Sequence, residues 1–197
     1  MLSLPFALEV ATMDFHPIDH ISFAPNHEPP NNKPYESCSL MINPFDSAES
    51  KQMRLWPVHC VRDTPGAQII PEIDTSRFDA VVKKGQDRRV EMYSGFADAF
   101  GGRLGASLNL TGLLREKGIS HVYVVGLAGD YCVKATAMDA HKEGFKTYVI
   151  EEALKSVDPS EKGWGKAARE MEEGGVSVVG VDGDAVNRVR QIVSRGH

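Results

Sequence analysis

His121-Val122-Tyr123-Val124-Val125-Gly126-Leu127-Ala128-Gly129-Asp130-Tyr131-Cys132-Val133 is the stretch on which the fold turns. Residues 121–126 form a short apolar run rich in β-branched and aromatic side chains, the pattern of a buried strand. Residues 127–131 read as a glycine-containing turn, and a helix follows over 132–143 with Gly144 as its stop signal. The alternation continues on both sides. Downstream, residues 145–151 read as strand, 161–173 as helix, 176–181 as strand and 185–193 as an amphipathic helix. Upstream, residues 8–14 and 78–83 read as strands, and 108–117 as a helix stopped by Gly118. Strands alternating with helices of about 10–15 residues predict βαβ units on a parallel sheet. In open sheets of that kind, sites form beyond the carboxyl ends of the strands.

The chain has 197 residues, 42% of them hydrophobic and 25% charged, with 22 Lys+Arg against 27 Asp+Glu for a formal charge of −5. That length and balance predict one globular domain over 1–197 and exclude a fibrous or wholly disordered chain. The mild acidity offers no general electrostatic reason to bind nucleic acid or an anionic membrane. No window of about 20 apolar residues occurs, so no bilayer span is predicted. The opening residues lack a basic region before their apolar run and read as a poor export signal. With three cysteines, Cys38, Cys60 and Cys132, and no C-x-x-C, the expectation is reduced thiols and a cytoplasmic or nuclear setting. Pro25, Pro29, Pro30, Pro34 and Pro44, among several Asn and Ser residues, predict a long irregular insertion at about 25–53.

Four groups carry candidate chemistry. Asp14 and His16 end a strand and point to the same side of an extended chain, and His59 follows in Trp56-Pro57-Val58-His59-Cys60. One carboxylate and two imidazoles suit Zn2+, Fe2+ or Mn2+ if the fold brings His59 to the pair. Asp14-x-His16 alone is more often structural. His20 is a further candidate, with a capping or hydrogen-bonding role favoured for it. Cys132 stands between a tight turn and the first turn of a helix, where the helix dipole lowers a thiol pKa. The competing reading is a buried cysteine packed as a small hydrophobe. Cys60 reads as a packing residue. Lys84 closes a strand before Gly85 and is either an ordinary solvated lysine or a charge that holds a thiolate. Tyr93-Ser94-Gly95-Phe96 is either an aromatic wall for a flat ring or ordinary core.

Together these residues resemble the nicotinamidases, pyrazinamidase-like members of the isochorismatase-like cysteine hydrolases. Asp14-Phe15-His16-Pro17-Ile18-Asp19-His20-Ile21-Ser22-Phe23-Ala24 is similar to that family's D-W-H-P-x-x-H-x-S-F-A, with Phe15 for Trp. Trp56-Pro57-Val58-His59-Cys60-Val61 resembles its W-P-x-H-C-V, and Lys84-Gly85 with Tyr93-Ser94-Gly95-Phe96 its K-G…Y-S-x-F. Gly126-Leu127-Ala128-Gly129-Asp130-Tyr131-Cys132-Val133 resembles its G-x-A-x-D-Y-C-V. The resemblance implies a doubly wound, mostly parallel α/β sheet with helices on both faces. It implies a metal, usually zinc, on Asp14, His16 and His59, and Cys132 as nucleophile. Lys84 would be the triad lysine, Tyr93 a wall of the ring pocket, and the N–H groups of Ala128 and Cys132 an oxyanion hole behind a non-proline cis peptide.

The implied activity is hydrolysis of nicotinamide, or a pyrazinamide-like amide, to the acid and ammonia through a thioester, in NAD salvage. The family's triad aspartate lies in a D-x-Q-x-D-F motif on its first, central strand, and these 197 residues contain no such motif. The expectation is therefore a chain lacking that strand, with impaired catalysis. The alternative is a non-catalytic metal- and nicotinamide-binding protein. Relatives acting on isochorismate or carbamoyl groups lack the metal set and fit less well. A small-molecule partner is expected, no nucleic acid or membrane, and a homo-oligomer is compatible with the sequence.

Overall fold

The computed structural model describes residues 4–192. These form two compact units, residues 10–109 and residues 4–9 with 110–192. In the second, β5 (His121–Leu127), β6 (Lys146–Lys155) and β7 (Ser177–Val179) make a parallel sheet in that order. Helices α2 (Lys134–Lys142) and α3 (Lys166–Glu173) are its crossovers, α1 (Leu110–Glu116) precedes β5, and α4 (Asp184–Ile192) follows β7. Alternation along β6 decides which helix covers which face. Val149 packs with Ala137 of α2 and Met171 of α3, whereas Tyr148 and Ile150 pack with Ala185 and Val186 of α4. The sheet of this unit thus carries helices on both faces.

The glycine stops fall where the sequence predicts them. Gly144, with φ +93°, follows α2 and lets the Phe145 N–H reach back to the Ala140 carbonyl at 3.1 Å, closing the helix in a left-handed cap. The final helix was expected to reach Val193, which lies outside the described residues, as do Met1, Leu2 and Ser3 at the opening of the expected poor export signal. Among the described residues β5 pairs with β6 alone, and Leu127 at its carboxyl end is 72% exposed. No helix among the described residues is long and apolar enough to cross a membrane.

In the unit of residues 10–109, β1 (Val10–Asp14) lies parallel to β4 (Ala80–Lys84), with Asp14 opposite Lys84 at the carboxyl ends. The expectation of an irregular insertion over 25–53 is corrected in its second half. There β2 (Cys38–Asn43) and β3 (Asp46–Arg54) form an antiparallel hairpin. Met41 of β2 and Met53 of β3 are buried with Leu55, Val90 and Ala24. That buried stripe gives the hairpin one face to seat, which the surrounding polar residues hide from a reading of composition.

Met171 is fully buried between α3 and its sheet, so Met171→Ala should cost about 2–5 kcal/mol. Ile70→Ala, at a side chain 58% exposed, should stay within about 0.5 kcal/mol of wild type. Urea unfolding of both variants checks the contrast.

Candidate active site

The candidate metal-ligand group is assembled by backbone pairing. The His16 N–H donates to the Cys60 carbonyl at 3.0 Å and the Arg62 N–H to the His16 carbonyl at 2.8 Å. Phe23 and Trp56 form a further parallel bridge. These bonds draw the segment around residue 59 alongside the end of β1. The side-chain ligand atoms of Asp14, His16 and His59 then all lie within 4.8 Å of one another.

The two imidazoles are pre-oriented. His16 Nδ1 lies 2.9 Å from the Gly85 carbonyl and His59 Nδ1 2.8 Å from the Pro57 carbonyl. A carbonyl only accepts, so each Nδ1 carries the hydrogen and each Nε2 keeps its lone pair for a metal. His16 Nε2 is 3.9 Å from Asp14 Oδ1. Such a set of two neutral nitrogens and one carboxylate fits a divalent cation, zinc among them.

His20 is placed differently. It is fully buried, with its ring 4.2 Å from that of His16. Its Nε2 donates to the Val90 carbonyl at 3.3 Å, and its Nδ1 accepts from the Ser22 hydroxyl at 2.8 Å. Burial, which outweighs the favourable field of Glu91, lowers its pKa to about 4. His16, His20 and Glu91 also cluster closely enough to ligate, but both His20 nitrogens are engaged and Glu91 accepts from the Met92 N–H.

Lys84, 2% exposed, donates from Nζ to Asp14 Oδ1 and to the Met92 carbonyl, the latter at 3.1 Å. Burial opposes ionisation of Asp14, but Lys84 and then His16 prevail, and its carboxyl is held below the usual range. A carboxylate has lone pairs enough for both lysine and metal. Cys60, with φ +45°, has its thiol pKa raised first by burial and then by Asp14, which disfavours a nucleophilic role. Tyr93 is half-buried, and its hydroxyl accepts from the Trp56 indole N–H at 2.9 Å.

Gly85 is the functional residue that motif reading leaves undervalued. Its φ is +67°, and a Cβ there would fall on the His16 ring, 2.5 Å from Nδ1. Its carbonyl is the group that orients that ring. The only signal in sequence was a glycine directly after the lysine at a strand end.

In the unit of residues 4–9 with 110–192, Cys132 lies half-buried in a wide helical turn, Gly129–Val133, that joins β5 to α2. The Leu127–Ala128 peptide is cis. The Ala128 carbonyl accepts the N–H groups of Tyr131 and Val133, both at 3.0 Å. Asp130 ties the turn to the segment after β6, its two oxygens accepting the N–H groups of Val157 and Asp158 at 2.9 Å each.

Parallel strands with helices on both faces place the protein among α/β folds. The isochorismatase domain family matches residues 38–182. The nicotinamidase of Acinetobacter baylyi is 40% identical over 149 residues, which are 76% of this chain and 64% of that protein, so the chain spans just under two thirds of that relative. The structure of the yeast nicotinamidase bound to the inhibitor nicotinaldehyde matches with a TM-score of 0.80 and 31% identity, covering 89% of this chain and 80% of that one. The pyrazinamidase of Pyrococcus horikoshii in complex with zinc matches with a TM-score of 0.64 and 33% identity, covering 88% and 75%. The chain belongs to the isochorismatase family.

Loss of one ligand, or displacement of the His16 ring by a Cβ added at residue 85, should empty the metal group. After dialysis against zinc, His59→Ala and Gly85→Ala should each retain at least about tenfold less metal than wild type at equal free zinc. Elemental analysis checks this, and equal metal in wild type and His59→Ala would remove His59 from the ligand set.

Proposed function

We propose that this chain is a nicotinamidase, converting nicotinamide to nicotinic acid and ammonia in NAD salvage, with pyrazinamide-like amides as further substrates. The observation that supports it most is the pair of histidines whose Nδ1–H groups are spent on the Gly85 and Pro57 carbonyls, leaving two Nε2 lone pairs beside Asp14. A divalent ion bound there, zinc in this reading, supplies a Lewis acid for the pyridine nitrogen. Tyr93, held by Trp56, lines the ring pocket.

Cys132 is the nucleophile. Its sulfur bonds to the carboxamide carbon as the C–N bond breaks, and the proton given up by the thiol passes to the departing nitrogen, which leaves as ammonia. Water then cleaves the thioester, giving the carboxylate and returning the thiol. The N–H groups of Ala128 and Cys132 face the developing oxyanion. Lys84 is the cationic member of the catalytic set.

A second reading has one observation in its favour. Asp130, the acid within the thiol turn, is bound through both carboxylate oxygens to the N–H groups of Val157 and Asp158, which gives it a structural role and leaves the thiol turn without an acid committed to proton transfer. General acid–base help is worth about 10²–10⁴-fold, so without it the chain binds metal and nicotinamide but turns over poorly.

Ammonia release from nicotinamide by the zinc-loaded chain, with mass spectrometry of Cys132 under single-turnover conditions, separates the two. Catalysis predicts ammonia and a nicotinoyl adduct on Cys132, both lost in Cys132→Ala while nicotinamide binding persists. Binding with neither product establishes the second reading. Failure to bind nicotinamide or nicotinaldehyde overturns both.

A further inference from the structure

Tyr35 is an unfavourable residue for the backbone it occupies. Its φ is +67°, in the left-handed region that glycine and asparagine enter readily and a bulky side chain rarely does. The turn that carries it is firmly held. The Ser37 N–H donates to the Lys33 carbonyl at 3.0 Å, and the Lys33 N–H to the Ser37 hydroxyl at 3.1 Å. The Tyr35 N–H donates to the carbonyl of the fully buried Leu55 at 2.7 Å. The Leu55 N–H returns a bond to the Ser37 carbonyl at 2.9 Å. Residues 33–37 are thereby stitched to the residue that precedes Trp56. Strain of this kind persists where the surroundings enforce it, and it raises the question of what the tyrosine ring does there.

The ring meets Trp56. The two ring centroids are 5.7 Å apart with the planes at 89°, an edge contact. Trp56 is 8% exposed and Tyr35 is 51% exposed, so the tyrosine is the outer member of the pair. The Trp56 backbone is pinned, its N–H donating to the Ser22 carbonyl and its carbonyl accepting from the Ala24 N–H, both at 2.8 Å. Those bonds fix the main chain but not the side-chain torsions. The indole N–H reaches inward to the Tyr93 hydroxyl at 2.9 Å, and the Trp56 and Tyr93 rings stand 6.5 Å apart at 81°. Rotation of the indole would carry its N–H away from that hydroxyl. A contact that holds the indole therefore holds Tyr93 as well.

We propose that Tyr35 is a positioning residue of the ring pocket: its ring fixes the Trp56 indole, and the indole fixes Tyr93 against the pyridine ring of the substrate. The proposal rests on the nicotinamidase reading, in which Tyr93 lines that pocket, and extends it to a residue of a surface turn. Such a contact reduces the ordering that ligand binding must impose on the pocket, and it does not act on the reacting bonds. Its loss raises KM and leaves kcat unchanged. An edge-to-face aromatic pair is worth about threefold to tenfold in an equilibrium constant, which sets the expected size of the effect.

Tyr35→Asn deletes the ring and keeps a residue suited to positive φ, whereas Tyr35→Phe keeps the ring. On the zinc-loaded chain, nicotinaldehyde titration calorimetry and ammonia release from nicotinamide give two readouts. Tyr35→Asn should weaken nicotinaldehyde binding and raise KM by about threefold to tenfold at unchanged kcat and zinc content. Tyr35→Phe should restore both. In a Trp164→Phe background Trp56 is the one tryptophan left of two, so fluorescence reports its indole. Tyr35→Asn should shift that emission to longer wavelength, and Tyr35→Phe should not. With Trp56→Phe already present, Tyr35→Asn should have little further effect on binding. Tyr35→Gly, equally suited to the backbone, takes the place of the asparagine variant if that one does not fold. Calorimetry needs no turnover, so it decides for a chain that only binds as well. Equal nicotinaldehyde binding by wild type and Tyr35→Asn overturns this proposal and leaves the nicotinamidase reading standing. So does a fall in kcat or in zinc content at unchanged KM. A wild type that binds neither nicotinamide nor nicotinaldehyde overturns the nicotinamidase reading, and this proposal with it.

Discussion

The buried ion pair between Lys84 and Asp14 is the interaction on which the metal-ligand group depends. Parallel pairing of β1 with β4 sets the two residues opposite each other at the strand ends, and the burial of Lys84 beside a partly buried Asp14 removes much of the water that would screen them. A charge in that position is tolerated only with a partner and with its remaining hydrogen-bond capacity satisfied. The Met92 carbonyl supplies the second acceptor for Lys84, and Gly85, the next residue, turns its own carbonyl onto His16. One strand end thus anchors the carboxylate with a side chain and an imidazole with its backbone. The precision of the group comes from register rather than from the ligands themselves.

Much of the α/β unit around β5, β6 and β7 was legible because two signals agreed at each boundary. Apolar β-branched runs marked the strands, and glycines at 118 and 144 marked the helix ends, both with positive φ as a left-handed cap demands. The hairpin was not legible. β3 contains no aromatic and no β-branched residue, so nothing local favours a strand. It forms because its pairing with β2 buries Met41 and Met53 together, a long-range term that composition does not show.

The candidate site divides along the same line. Asp14, His16, His59, Lys84 and Tyr93 could be singled out because their residue types carry chemistry, and the resemblance ordered them. The convergence of His59 on the end of β1 could not be read from spacing, because it rests on backbone bonds between residues 16 and 60–62. The commitment of His20 to Ser22 and Val90, and of Asp130 to the N–H groups of 157 and 158, were equally invisible. Both residues sit within motifs, and in both the polar atoms are consumed by local structure.

That distinction bears on how the metal group is held ready. Metal binding competes with protons for every ligand, so a site whose ligands are already in their coordinating forms gives up less affinity to that competition. Asp14 meets the requirement through Lys84, which holds it ionised against the cost of burial. The histidines meet it through the two carbonyls that fix their tautomers. His20 fails it, since each nitrogen already has a partner whose loss would leave a buried group unsatisfied. Of the four side chains in Asp14-x-His16…His20…His59, the three that converge are those whose free lone pairs the fold has left unspent.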